Sequence, residues 1–137
     1  MKELTVEAAL ESIPVITEFV DEQLEQYGCP MKAQAQIDIA IDELFSNIAR
    51  YAYHPGAGPA TVRVEVVENP LSVVITFIDQ GVPYDPLAKE DPDITLSAEE
   101  RGVGGLGIYI VKKNMDEITY EYKNGRNILK ICKELQP

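Results

Sequence analysis

IDELFSNIARYAY, residues 41–53, presents two rows of side chains when it is placed on a helix at about 100° per residue. An apolar row runs through Ile37, Ile41, Leu44 and Ile48. A polar row about a quarter turn away consists of Glu43, Asn47 and Arg50. A carboxylate can accept a proton, an amide oxygen can bind Mg²⁺, and a guanidinium can hold a phosphate. The polar row is therefore a candidate site, although a solvated helix edge carries the same residue types.

The composition limits the class of protein. A chain of 137 residues that is 45% hydrophobic has the length of one domain and enough apolar residues for a single core. No apolar run reaches the roughly 18 residues of a membrane span, and residues 1–10 lack the apolar segment of a signal peptide. Cys29 and Cys132 lie far apart in no metal-ligand spacing, so we expect reduced thiols and a cytoplasmic protein.

The charge limits the partners. A net charge of −11, from 23 acidic and 12 basic residues, argues against nucleic acid and anionic membranes, which need a basic footprint. A basic protein partner is compatible with this charge, although many acidic surfaces serve solubility alone. Any phosphate bound by this chain would need backbone dipoles, a metal ion and a few local cations.

Hydrophobic periodicity and turn signals predict one layer of helices and one layer of strands. Ser12 and Pro14 mark the start of a first helix that ends near Gly28, and a second helix covers residues 31–53. A third helix follows Gly107. The predicted strands are 4–8, 61–68, 71–78, 116–122 and 128–132. This order predicts an α+β two-layer sandwich, in which helices pack on one face of a mixed, mostly antiparallel sheet.

Residues 82–103 form a polar, irregular stretch that contains three prolines and ends in a run of glycines. Loops of this length in compact domains are usually functional lids or disordered connectors. The glycines of the run are Gly102, Gly104, Gly105 and Gly107. A glycine-rich helix start can hold an anion through its N–H groups, and a hinge with a tight helix entry is the alternative. The run is neither a P-loop nor a Rossmann fingerprint, because it lacks the Gly-Lys-Ser/Thr and the βαβ unit.

Three motifs in a fixed order carry a resemblance to a known superfamily. They are Glu43-x-x-x-Asn47, Asp79-x-Gly81 and Gly102-x-Gly-Gly-x-Gly107, with the long loop between the last two. This arrangement resembles the GHKL ATP-binding superfamily with its Bergerat fold, and within it the anti-sigma-factor serine kinases of the RsbW and SpoIIAB type. The resemblance covers nearly the whole chain. It implies a single domain over residues 1–137 with an ATP lid at about 82–103.

The resemblance also implies a role for each matching residue. Asn47 would ligate the Mg²⁺ that bridges the ATP phosphates, and Glu43 would orient or deprotonate the attacking hydroxyl. Arg50 matches a basic residue near the phosphates. Asp79 would accept a hydrogen bond from the adenine amino group, and Gly81 would give the base room to approach.

The glycine run and the end of the lid complete the implied site. Gly102, Gly104, Gly105 and Gly107 would cradle phosphate and let the lid close. Arg101 could reach the γ-phosphate, and a salt bridge with Glu99 or Glu100 is its alternative role. The sequence departs from the family where Ile48 replaces the alanine that usually follows the N-box asparagine. The only histidine, His54, lies at a predicted helix end, where a cap or surface role is more common than catalysis.

Two functions follow from the resemblance. The first is an ATP- and Mg²⁺-dependent serine-protein kinase that phosphorylates an anti-anti-sigma (STAS) partner, with a sigma factor as a further candidate partner. The second is a nucleotide-binding regulatory module that sequesters a protein partner without phosphoryl transfer. Related kinases are dimers, so a homodimer is among the expected assemblies. The parts are physically sufficient for phosphoryl transfer, which asks mainly for positioning and charge neutralisation.

Overall fold

The second helix is the longest element of the computed structural model, which describes residues 1–88 and 106–135. The helices are α1 (Ile13–Gln26), α2 (Met31–Tyr51) and α3 (Leu106–Asn114), with a 3₁₀ turn (Leu10–Ser12) before α1. The strands are β1 (Lys2–Glu7), β2 (Pro59–Val67), β3 (Ser72–Asp79), β4 (Glu117–Lys123) and β5 (Arg126–Glu134). The predicted helices and strands are all present, and their ends differ from the predicted ones by at most two residues.

The strands form one five-stranded sheet in the order β1-β2-β3-β5-β4. All four pairings in the described part of the chain are antiparallel. The predicted α+β two-layer architecture is confirmed, and its sheet proves to be antiparallel at every one of these pairings. Strand β3 is central, and its last residue, Asp79, lies directly opposite Asn127 of β5.

The core lies between the helices and one face of the sheet. Alternate residues of the three central strands face the helices, and among them Val62, Ile75 and Ile131 are at most 1% exposed. The apolar row of α2 packs on them as predicted, because Ile37 and Ile41 are fully buried. The other helices add Ile16, Val20, Leu24, Ile108 and Val111. Burial of this apolar surface, at roughly 25 cal/mol per Å², holds α2 in a fixed place on the sheet.

The end of α2 is fastened to the end of β3 by backbone contacts. The N–H of Val82 donates to the carbonyl of Ala52 at 2.9 Å. Gly81 lies so close to the same residue that an added Cβ would be 2.7 Å from the Cα of Ala52. The hydroxyl of Tyr53 accepts from the N–H of Gln80 at 2.8 Å and donates to the carbonyl of Pro59 at 2.6 Å. The polar row of α2 is therefore held beside the end of β3.

A helix that crosses a bilayer is long and predominantly apolar. Within residues 1–88 and 106–135 no helix meets that requirement of length and apolar character.

Candidate functional site

A cleft opens between the C-terminal half of α2, the last residues of β3 and the first residues of β5. Its apolar walls are Leu44, Ile48, Ala52, Phe77, Val82, Pro86 and Leu129. Its polar groups are Asn47, Tyr51, Asp79, Tyr84, Tyr120 and Asn127. A mostly apolar cleft with a few fixed polar groups is the usual form of a site for a small organic ligand.

Asp79 is the most deeply buried acid of the cleft, with 4% of its surface exposed. Its Oδ1 accepts two hydrogen bonds, from the N–H of Gly81 at 2.9 Å and from Nδ2 of Asn127 at 2.8 Å. Buried polar groups need such partners, and two bonds on one oxygen fix the orientation of the whole carboxylate. The two residues of the second motif, Asp79 and Gly81, are thus in direct contact.

Asn127 connects the loop after β3 to the sheet. Its Nδ2 also donates to the carbonyl of Val82 at 2.9 Å. Its Oδ1 accepts from the N–H of Tyr84 at 3.2 Å and from the hydroxyl of Tyr120. The sequence prediction missed this residue, because the predicted last strand began at residue 128. Extending the alternation of Leu129 and Ile131 back by one step would have placed Asn127 on the same buried face.

Glu43 meets the first turn of α3. A Cβ added to Gly107, the second residue of α3, would overlap the carboxylate of Glu43. A carboxylate at a helix N-terminus is favoured by the helix dipole. The structure therefore brings together Glu43 of the first motif and the last glycine of the third motif.

The remaining predicted residues separate into three groups. Asn47 lines the cleft together with Asp79, one turn beyond Glu43. Arg50 is exposed, does not line the cleft, and forms no ion pair within the described part of the chain. Arg101, Gly102, Gly104 and Gly105, with most of the predicted lid, lie outside the described residues.

Tyrosines form a second feature that the sequence prediction missed. The rings of Tyr51 and Tyr84 lie 5.2 Å apart between centroids with an interplanar angle of 33°. Burial raises the pKa of Tyr84, and the nearby Tyr51 and Glu43 raise it further. Burial also raises the pKa of Tyr120. Both phenols are therefore neutral at physiological pH, and that of Tyr120 donates its proton to Asn127.

The sequence of residues 6–133 matches the family described as the histidine kinase-like ATPase domain. The match covers nearly the whole chain and all the elements that build the cleft. The chain belongs to this ATPase domain family. The resemblance to GHKL ATP-binding proteins is thereby confirmed.

Curated relatives of this ATPase domain carry the names of protein kinases. The serine/threonine-protein kinase BtrW of Bordetella bronchiseptica is 26% identical over 101 residues, which cover 74% of this chain and 70% of BtrW. The serine-protein kinase RsbW of Bacillus cereus is 27% identical over 131 residues, which cover 93% of this chain and 81% of RsbW.

Two solved structures share the fold of the ATPase domain. A Mycobacterium tuberculosis structure of RsbU and RsbW domains matches with a TM-score of 0.66 at 16% identity. The match covers 100% of this chain and 34% of that one, so this chain spans about a third of its length. The Acinetobacter baumannii histidine kinase AdeS matches with a TM-score of 0.52 at 16% identity, over 100% of this chain and 70% of AdeS. At these identities the likeness concerns the fold alone.

Proposed function

We propose that this ATPase domain is an ATP- and Mg²⁺-dependent serine-protein kinase of the anti-sigma-factor type. Its substrate would be an anti-anti-sigma (STAS) protein in the cytoplasm, with a sigma factor as a second partner and a homodimer as the assembly. The kinase names of the relatives support the reaction. The observation that carries the proposal is the placement of Asn47 and Asp79 in one cleft, with Glu43 one helical turn before Asn47 and against Gly107 of α3.

Asp79 suits the adenine base. Gly81 and Asn127 donate hydrogen bonds to one oxygen of its carboxylate and so fix the direction of the group. The carboxylate therefore presents a fixed hydrogen-bond acceptor to the cleft. Adenine presents an amino donor where guanine presents a carbonyl acceptor. A site built around a fixed acceptor rejects a ligand that lacks the donor, because the second oxygen of the buried carboxylate would be left without that donor.

Asn47 suits the metal ion. Mg²⁺ usually binds through one or two side-chain oxygens together with phosphates and waters, rather than through a cage of protein ligands. Among the described residues there is no group of three His, Cys, Asp or Glu side chains that could form such a cage. The half-buried side-chain amide of Asn47 provides an oxygen ligand of this kind. When bound, Mg²⁺ would neutralise phosphate charge, which a chain of net charge −11 cannot do alone.

Glu43 is the proposed base for the transfer. The serine Oγ of the partner forms a bond to the γ-phosphorus as the bond from that phosphorus to the β–γ bridging oxygen breaks, and ADP leaves. The hydroxyl proton passes to the carboxylate of Glu43. Phosphoryl transfer depends chiefly on such positioning. Arg50 and Arg101 are proposed to hold phosphate oxygens.

The second candidate is a nucleotide-binding regulatory module that sequesters its partner without transfer. The observation that favours it is the position of Arg50, which is exposed and outside the lining of the cleft. A kinase would need this cation to turn towards the phosphates when nucleotide binds.

Labelled ATP separates the two candidates. The protein is incubated with Mg²⁺, γ-labelled ATP and a purified STAS protein, and label on serine is counted for the wild type, Glu43→Gln and Asp42→Asn. Asp42→Asn is the matched control, because Asp42 is an exposed acid next to Glu43 on α2. We expect label with the wild type and the control, and a loss of about 100-fold or more with Glu43→Gln. Tight ATP binding without label on any STAS protein would support the module instead.

A further inference from the structure

The interior of the cleft is narrow. Its free interior is about 30 Å³, which is room for about two water molecules at roughly 10–15 Å³ each. A purine is several times larger than a water molecule. Some group that lines the cleft must therefore move before a nucleotide base can bind beside Asp79.

Tyr84 belongs to the less buried part of the cleft lining. The α2 and β3 walls belong to the core, since Leu44 and Phe77 are each 1% exposed. Tyr84 lies instead on the segment after β3 and is partly exposed. The contact of its ring with Tyr51 is made at the surface, because Tyr51 is 47% exposed.

The backbone of Tyr84 is anchored independently of its ring. Its N–H donates to Oδ1 of Asn127 at 3.2 Å and to the hydroxyl of Tyr120 at 3.2 Å. The ring can therefore leave the cleft by rotation of the side chain, while the backbone bonds that position Asp79 through Asn127 stay in place.

On the basis of the proposed nucleotide site, we propose that the ring of Tyr84 competes with the nucleotide for the mouth of this cleft. In the free protein the ring stacks on Tyr51 and covers the base site. Binding of ATP displaces the ring, so Tyr84 sets the affinity for nucleotide.

The effect of the Tyr84 ring on the affinity for ATP can be calculated. A ligand whose binding-competent state is only partly populated binds more weakly by that fraction. Removal of one aromatic pair of this kind shifts an equilibrium by about 3- to 10-fold. We therefore expect Tyr84→Ala to bind ATP about 3- to 10-fold more tightly than the wild type.

Calorimetry with ATP and Mg²⁺ tests this expectation. Tyr84→Phe keeps the ring, so it should restore the weaker affinity of the wild type. Tyr27→Ala is the control, because Tyr27 is 45% exposed at the end of α1 and does not line the cleft. Unchanged or weaker binding by Tyr84→Ala would overturn the proposal, and weaker binding would make the ring a stacking platform for the bound base.

The outcomes also separate this proposal from the proposed function. Absence of ATP binding in both the wild type and Tyr84→Ala would overturn the nucleotide site itself. ATP binding by Tyr84→Ala but not by the wild type would support the proposal, because the ring would then block the site completely. A second measurement needs no variant: nuclear Overhauser contacts between the Tyr51 and Tyr84 rings should be present in the free protein and lost with ATP and Mg²⁺. Persistence of these contacts in the complex would contradict the displacement of the ring.

Discussion

Gly81 is the residue at which a single methyl group would disturb both the fold and the site. A Cβ there meets the backbone of Ala52, which cannot turn aside as a side chain can. Overpacking of this kind costs about 1–3 kcal/mol. We therefore expect Gly81→Ala to lower the Tm by several degrees and to weaken ATP binding, because Gly81 also donates to Asp79. Thermal unfolding followed by circular dichroism, with calorimetry on the folded variant, measures both. A Tm equal to that of the wild type would contradict the close approach.

Gly107 is the contrasting case, because a Cβ there meets only the end of a flexible side chain, the carboxylate of Glu43. Alanine is favoured over glycine inside a helix by about 1 kcal/mol. Gly107→Ala should therefore keep or raise the Tm while it displaces Glu43. If Glu43 is the base, phosphoryl transfer should fall about 10-fold or more. A variant with full transfer activity would show that the position of this carboxylate is unimportant.

At the scale of elements, helices α1 and α2 each place an acidic side chain at the contact between them. Asp21 of α1 and Asp38 of α2 each have a buried oxygen that lacks a hydrogen-bond partner among the described residues. The pKa of Asp38 is raised from 3.8 to about 7, first by burial and then by the hydrogen bond to Asp21 and its charge. Burial also raises the pKa of the Cys29 thiol, between the two helices, with further contributions from the same acids. The helix pair therefore holds a proton that the unfolded chain releases.

The sign of the resulting pH dependence follows from linkage. Between about pH 4 and pH 7 the folded state binds one more proton than the unfolded state, so the free energy of unfolding falls as the pH rises. Asp38 is only half-buried, so solvent screening limits the loss to about 1 kcal/mol or less. We expect Asp38→Asn to raise the Tm at pH 8 more than at pH 5. Asp42→Asn, which removes the same charge from an exposed position of α2, is the control. Equal shifts at the two pH values would contradict a shared proton.

Local patterns predicted the elements well and the contacts between them poorly. The spacing of Ile37, Ile41 and Leu44 reflects burial of one side of a helix, and it predicted the buried face of α2 correctly. The three motifs indicated the correct family, and two of their members, Asn47 and Asp79, meet in the cleft. The roles proposed for the individual residues stay predictions.

The missed contacts have a common physical origin. Asn127 meets Asp79 because two strands lie side by side in one register, and Tyr84 meets Tyr51 because a loop returns to α2. Alternation can place Asn127 on a buried face, but no pattern within either segment indicates the partner residue. Such contacts depend on tertiary packing, which single-sequence patterns do not contain.

At the scale of the whole molecule, the net charge opposes the proposed ligand. A chain of charge −11 repels ATP at long range, and salt weakens that repulsion over a Debye length of about 10 Å at 0.1 M. Mg²⁺ removes part of the charge of ATP before binding, so the repulsion matters most when the metal is removed. We therefore expect EDTA to weaken ATP binding about 10-fold or more at low salt, and less as the salt concentration rises.

Calorimetry in EDTA and in Mg²⁺, each at about 50 and 300 mM salt, measures this difference. In EDTA the affinity should increase with salt, whereas a site dominated by its own cations would lose affinity because counterions compete with the phosphates. Lys123→Gln is the matched control, because Lys123 is an exposed cation at the end of β4 that does not line the cleft, and it should change the affinity little. Affinity in EDTA that falls as salt is added would show that local cations, rather than the net charge and Mg²⁺, govern how this domain holds phosphate.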